Sequence, residues 1–365
     1  MRKTRAITVA AILTVIVLFS LMSCRDRDVT PEFIPEPVPT AEFPSALEPD
    51  PEPTPEPTPE PTPEPEIVPV DLSSSEITDA ILAEMIANGD IPQKVLELNL
   101  RGNEISDITP LQSLTELIWL DLGVNKISDI STLSFLTELT QLDLSSNKID
   151  DVSPLQSLTR LNWLGLDHNQ ISDISSLSIL TEITWMGLFY NKIDDISPLQ
   201  ALTSLSHLDL GLNYIEKINA LESLTELTFL VLGSNQISDI TPLISLEQIT
   251  SLDLSNNKIR NLSPLSSLTA LTELDLSNNE IRELASLSSL TELITLCLGG
   301  NQIRTLTPLR SLVQLIELDL SYNRITNISA LLSLTELTSL GLYGNNISKS
   351  QYDRLNKALP DCYIG

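Results

Sequence analysis

The sequence predicts an α/β solenoid with a single parallel β-sheet, and three observations carry that prediction. Asparagines recur every 22 residues from Asn103 to Asn345 without an insertion or deletion. Between them leucine and isoleucine keep one phase, as in Leu117, Leu120, Leu122, Ile127, Ile130, Leu133 and Leu136. Both flanks of the array leave that phase for sequence of helical character. A fixed period in this range marks one small unit stacked many times, each unit contacting its neighbours and the end units requiring caps.

Residues 1–23 read as an export signal. Arg2, Lys3 and Arg5 precede an apolar run from Ala6 to Met22, the charged and hydrophobic regions of a secretory leader. The run ends in Leu21-Met22-Ser23-Cys24, which resembles the lipobox of bacterial lipoproteins. That resemblance implies lipidation of Cys24, and so a chain held by lipid on the extracellular side of the cell membrane. The alternative is an uncleaved anchor, for which the run is at the short limit of a bilayer span. Residues 24–70 are dominated by proline and glutamate, including Pro51-Glu52-Pro53-Thr54 and its tandem copies, and cannot build a core. They read as a disordered linker. In polyproline II geometry about 40 such residues reach on the order of 100 Å.

Residues 71–94 read as a helical cap: Ser73 to Glu76 has capping-box spacing, Ile77, Ile81 and Met85 share one helical face, and Gly89 is placed to end the helix. Residues 95–348 hold twelve repeats of 22 residues. In the second, Leu120 and Leu122 alternate with Trp119, Asp121 and Gly123, so a short strand turns its leucines inward. Stacking makes one parallel sheet on a concave face. The asparagine sits where the chain leaves the strand, and its amide satisfies backbone groups otherwise buried unpaired. Segments such as Ser153-Pro154-Leu155 and Thr241-Pro242-Leu243 suit a tight turn or brief 3₁₀ stretch, which narrows the convex side and curves the array into a horseshoe. The pattern Leu-x-x-Leu-x-Leu-x-x-Asn-x-Ile matches the leucine-rich repeat. Its 22-residue length resembles that of bacterial internalins and of the leucine-rich regulatory subunit of protein phosphatase 1. The cap at 71–94 is similar to the helical cap of internalin-like proteins.

Residues 349–365 read as a C-terminal cap, with a short helix from Ser350 to Ala358 and a final strand. Leu359, Cys362 and Ile364 continue the phase of Leu337, Leu340 and Leu342. This register turns Cys362 inward and Cys297 outward, roughly 14 Å apart at ~4.8 Å per strand, so no bridge joins them and two free thiols are expected.

With 49 acidic residues against 21 basic ones and a net charge of -28, nucleic acid and anionic lipid headgroups are poor partners. Lipid contact is expected only through Cys24. No nucleotide loop, metal-ligand cluster or nucleophile–base pair occurs in the repeats, so the sequence predicts no catalytic residue, cofactor or metal, and no enzyme. His168 and His207 face outward, two strands and at least one row apart. Adjacent aspartates such as Asp253 and Asp275 are an oxygen pair of the kind calcium accepts. Asp107, Asp129, Asp151, Asp173, Asp195 and Asp239 suit local backbone bonding on the turn after the asparagine. Arg260, Arg282 and Arg304 beside Glu280 and Glu283 read as surface ion pairs.

The aromatic residues point to a site. Trp119, Trp163 and Trp185 all stand six residues before an asparagine, on the outward strand face, and the same row continues in His207 and Phe229. Phe189 and Tyr190 lie beside Trp185, and Tyr214 follows the sixth asparagine. Four residues before the asparagine the row is mostly aspartate, but Gly165 and Gly187 interrupt it in the tryptophan-bearing units, which predicts a shallow slot beside the rings. Exposed rings gathered on one face are a usual mark of a binding patch. Duplication of a two-repeat block, suggested by Gln112, Gln156 and Gln200, is the competing explanation for the phase. The sequence thus predicts a surface-anchored protein that recognises a protein partner through this patch, and the resemblance to internalins implies adhesion. Glycan capture and a self-associating envelope scaffold are the alternatives.

Overall fold

The structure, a computed structural model, describes residues 69–365. The signal, the lipidation at Cys24 and nearly all of the linker lie outside the described residues. Fourteen strands form one parallel sheet in strictly sequential order, from Val70–Asp71 to Tyr363–Ile364. Twelve of them are three-residue strands, Glu97–Asn99 through Ser339–Gly341, with the central residue inward. Pairing never slips within the array: Leu120 is opposite Leu142, and Leu142 opposite Leu164. Flanking residues of each strand therefore fall in straight rows on the concave face.

Each unit adds the same buried set. Leu117, Leu120, Leu122 and Ile127 are all 0% exposed, and their equivalents repeat along the whole core. Burying each such side chain contributes about 1.5–3 kcal/mol. Opposite the sheet the chain returns through five-residue 3₁₀ turns, from Thr109–Ser113 to Ser329–Ser333. Proline stands at the start of several, as in Thr241–Ser245, where no intrahelical donor is required.

The asparagines join one unit to the next. Asn213 accepts from the Ile193 amide at 3.0 Å and donates to the carbonyls of Leu188 (2.9 Å), Leu210 (3.1 Å) and Gly211 (3.1 Å). Its equivalents do the same along the array. The aspartates on the following turn bond locally, as expected: Asp151 accepts from the Ser153 amide and Asp195 from that of Ser197, both at 2.8 Å.

The ends correct three expectations. Helix α1 spans Asp79–Asn88 and is capped by Thr78, not by a box at Ser73. The amides of Ser75 and Ile77 are already held by Asn103 Oδ1 at 3.1 and 2.9 Å, which keeps residues 73–77 out of the helix. Consequently Leu82 is buried while Ile81 is 42% exposed. Gly89 ends α1 in the left-handed conformation, φ 79°, as read from the sequence. Before the helix, Val70–Asp71 adds a strand that the repeat phase did not reveal.

At the other end, α2 (Lys349–Ala358) precedes the final strand, but Ile364 pairs with Leu340 instead of Leu342. A turn at Pro360 and Asp361, closed by the Cys362 amide on the Leu359 carbonyl, takes up the difference. Cys362 is therefore only partly buried against the core, and is a free thiol not bridged to Cys297. Cys297 is buried on the sheet between Asp275 and Asp319, so a free thiol is found at Cys362 alone of the two expected.

Candidate binding face

Trp163 and Trp185 occupy paired positions on neighbouring strands. Their rings stack with centroids 4.4 Å apart and planes within 9° of parallel. His207 and Phe229 continue the row as a second stack, 5.8 Å apart. Trp119 is in the same row but is separated from Trp163 by Gln141. All five rings are half-buried, because neighbours along the row cover one another's faces.

The predicted slot at Gly165 and Gly187 is not there. Both glycines are buried under the indole of their own strand. A Cβ at Gly187 would lie 2.8 Å from the Trp185 ring and 2.5 Å from an Asp167 oxygen; at Gly165 it would meet Asp143 at 2.8 Å and the Trp163 ring at 3.0 Å. Glycine is required for the indoles to lie along the sheet.

What the missing aspartates did is also visible. Elsewhere in that row the carboxylate accepts the amide two residues on, as Asp143 does from Ser145 and Asp253 from Ser255, both at 2.8 Å. Gly187 offers no such acceptor, and Asp167 reaches across from the preceding strand to take the Phe189 amide at 2.8 Å. Asp167 was missed in the sequence, although the signal existed: an acid appears in the next outward row beside the place where the regular one is lost.

Asp121, Asp143 and Asp167 thus line the floor next to the stack. Arg101, also missed, ion-pairs with Asp143 at 2.8 Å and lies 3.7 Å from Asp121. Burial, reinforced by Asp143 and opposed by Arg101, pushes the Asp121 carboxyl up to about 7. Burial pushes Asp167 up to about 7 as well, against the Phe189 hydrogen bond. His207, its Nδ1 2.9 Å from Ser206 Oγ, is held below the usual imidazole value by burial, as is His168.

The residue before each asparagine adopts the left-handed conformation, φ between 51° and 73°. Gly102, Gly300, Gly344, Asn256 and Asn278 suit that geometry. In the second, the fourth to sixth and the eleventh units it is forced on Val124, His168, Tyr190, Leu212 and Tyr322, at about 1 kcal/mol or more each. Tyr190 is 55% exposed, Val124 45% and Leu212 40%. His168 packs on Phe189 and Tyr190, with centroids 5.3 and 5.0 Å away. The exposed part of the site is therefore this rim, within which His168, Phe189 and Tyr190 pack together. Tyr214 is exposed on the turn beyond and shares no ring contact with the group among the described residues. A second tyrosine pair, Tyr322 and Tyr343 at 5.2 Å, stands at the far end of the array.

Among the described residues no group of three or more His, Cys, Asp or Glu is arranged to hold a metal ion. Asp253 and Asp275 accept the amides of Ser255 and Ser277. Arg260 pairs with Glu280, while Arg282 bonds to Gln302 at 3.1 Å.

A model of paired leucine-rich repeats matches residues 115–157, 225–267, 269–311 and 313–355. The crystal structure of the internalin InlF from Listeria monocytogenes superposes with a TM-score of 0.72 at 39% identity, covering 74% of this chain and 80% of that one. A leucine-rich repeat protein of Leptospira interrogans matches with a TM-score of 0.65 at 22% identity, over 81% of this chain and 94% of the other. The functional domain of InlJ from Listeria monocytogenes matches with a TM-score of 0.55 at 23% identity, over 80% and 70%. The latter two bear on the fold alone. No curated protein sequence matches the chain.

Proposed function

Because this chain belongs to the internalin-like leucine-rich repeat proteins, whose repeats present a sheet for recognition, we propose that it is a surface-anchored binding protein that takes a protein partner on the concave aromatic face of its second to seventh units. The carrying observation is the coincidence of the Trp163–Trp185 stack with the rim of Val124, His168, Tyr190 and Leu212. Bulky side chains held in a left-handed conformation on an exposed edge are costly for the fold alone, and such strain gathers where a surface is used. Duplication explains tryptophans in phase; it does not explain four different large residues in one strained position.

A protein partner is favoured over a glycan by ring geometry. Sugar capture uses an open ring face, whereas Trp163 and Trp185 each spend one face on the other and His207 and Phe229 do likewise. Edges and rim side chains suit the side chains of a protein surface. Anchoring through Cys24, with the Pro/Glu segment as tether, completes the reading. The test is a pull-down from cell-surface extracts with the full chain and with a Trp163→Ala/Trp185→Ala/Tyr190→Ala variant. Partners retained by the first and lost by the second are expected; identical recoveries would end the proposal.

A further inference from the structure

The flank that the chain forms as it leaves each strand carries charge segregated by sign along the array. We propose that this flank is the contact surface for a second copy of the chain, packed antiparallel so that the acidic units of each copy face the basic units of the other.

In the first eleven units the residue two positions after the asparagine is a buried isoleucine, so the residues one, three and four positions after it form the outer flank. At these positions the second to fifth units hold six aspartates and three lysines, a charge of -3. The eighth to eleventh hold five bases and two glutamates, a charge of +3. All of these side chains are exposed except Glu280, which is half-buried. Asp129 and Asp173 stay ionised, because hydrogen bonds from Ser131 and Ser175, the backbone amides foremost, hold their carboxyls below the usual range. Within the chain Lys126 pairs with Glu104 and Arg260 with Glu280. Among the described residues no ion pair involves Arg282, Arg304, Arg324 or any of the six aspartates.

A two-fold axis running across the flank between the sixth and seventh units sets the eighth to eleventh units of one copy against the fifth to second of the other. Row then faces row, with Arg260 opposite Asp194 of the other copy and Arg304 opposite its Asp150. A parallel arrangement would set like charges together. Tyr214, 56% exposed and outside the concave ring group, lies on this same flank in the sixth unit, beside the axis, where it meets its own equivalent. Tyrosine is enriched among the residues that anchor interfaces. At ~4.8 Å per unit and ~3.3 Å per residue the flank offers each copy on the order of 700 Å², within the range of specific pairs. The net charge of -28 opposes approach at long range, but at physiological ionic strength charges more than about 8 Å apart are screened, and the facing flanks decide the register.

The test is sedimentation equilibrium of the chain from residue 25, which keeps every described residue and leaves out the leader and Cys24, so that neither drives association. Wild type should reach the mass of two chains at concentrations on the order of 100 µM or below, since interfaces of this size span micromolar and tighter affinities. Arg260→Glu/Arg304→Glu makes the flank acidic throughout, and Asp150→Lys/Asp194→Lys removes its acidic half. Each variant alone should associate about tenfold or more weakly than wild type, and an equimolar mixture of the two should restore the two-chain species, because every facing pair is then of opposite sign. All four positions are exposed, and circular dichroism with melting temperatures checks that both variants fold. A wild type that stays a single chain, association that neither variant weakens, or a mixture no better than its components overturns the inference. None of these outcomes touches the concave face, whose pull-down test is separate.

Discussion

Replacing Asn213 with alanine tests whether the ladder is what holds unit to unit. The carbonyls of Leu188 and Leu210 lose a bond but keep another, from Asn191 (3.2 Å) and Asn235 (2.9 Å) respectively. The Ile193 amide fares worse, because its acceptor is Asn213 Oδ1 and it lies in the buried interior. One orphaned buried donor costs about 1–3 kcal/mol, and the weakened carbonyl contacts add about 0.5–1 kcal/mol, so a loss of about 2–4 kcal/mol is expected. The same change at Asn345 should cost about 1 kcal/mol or less, since that residue is only half-buried and water can take over its partners. Urea unfolding gives the stabilities, and native-state hydrogen exchange reads the Ile193 amide directly. Exchange there should rise about thirtyfold or more for a 2 kcal/mol local loss, while the equivalent amides of Ile149 and Ile259 stay protected. Equal costs at Asn213 and Asn345, or an Ile193 amide as slow as before, would refute the account.

Four further outcomes are expected. Gly187→Ala should push the Trp185 ring or the Asp167 carboxylate aside, abolishing the exciton couplet of the stacked indoles in circular dichroism at a cost of about 1–3 kcal/mol; an intact couplet counts against the packing described. Asp167 binds its proton more tightly folded than unfolded, so its contribution to stability falls as pH rises from about 4 to about 7 and is constant above; Asp167→Asn should therefore stabilise by about 1 kcal/mol or more at pH 8 and by little at pH 4, as melting temperatures across that range would show. Val124→Asn, which installs at a β-branched site the residue found at positions 256 and 278, should gain about 0.5–1 kcal/mol in chemical denaturation, and no gain would mean that φ 55° carries no strain there. Labelled palmitate should enter the wild-type chain in a bacterial host and fail to enter Cys24→Ala; equal labelling removes the lipid anchor.

Whatever could be counted from the asparagines was legible in the sequence. Leu120 facing inward, Asp151 capping its own turn, and the pairing of Trp163 with Trp185 follow from phase alone, because a repeat without insertions makes sequence distance a spatial coordinate. What phase does not encode is competition for hydrogen bonds and space at particular residues. Asn103 draws the Ser75 and Ile77 amides away from the helix that Ser73 and Glu76 suggested. The turn at Pro360 moves the last strand two residues off the extrapolated register. Gly165 and Gly187 mark room taken by an indole, not room left open, and only the direction of the ring decides between the two.

The costs on this chain are unevenly distributed, and their distribution is an argument. Inward leucines and the asparagine ladder are uniform from end to end, so they stabilise every unit alike and constrain the outward rows very little. On those rows the eighth to tenth units use relaxed solutions: Asn256, Asn278 and Gly300 at the left-handed position, and Asp253 and Asp275 bonding their own strand ends. The second to sixth units depart from them repeatedly. They hold Val124, His168, Tyr190 and Leu212 left-handed, two aspartates pushed toward neutrality, and a buried Trp163 Nε1 without an acceptor among the described residues. Each departure has a cheaper alternative elsewhere in the same chain, and apart from Tyr322 in the eleventh unit the bulky left-handed residues fall in the second to sixth units together with both aspartates pushed toward neutrality, a clustering that drift from a common repeat would not be expected to produce. A surface shaped for a partner would, because the partner's contacts offset locally what the fold gives up there.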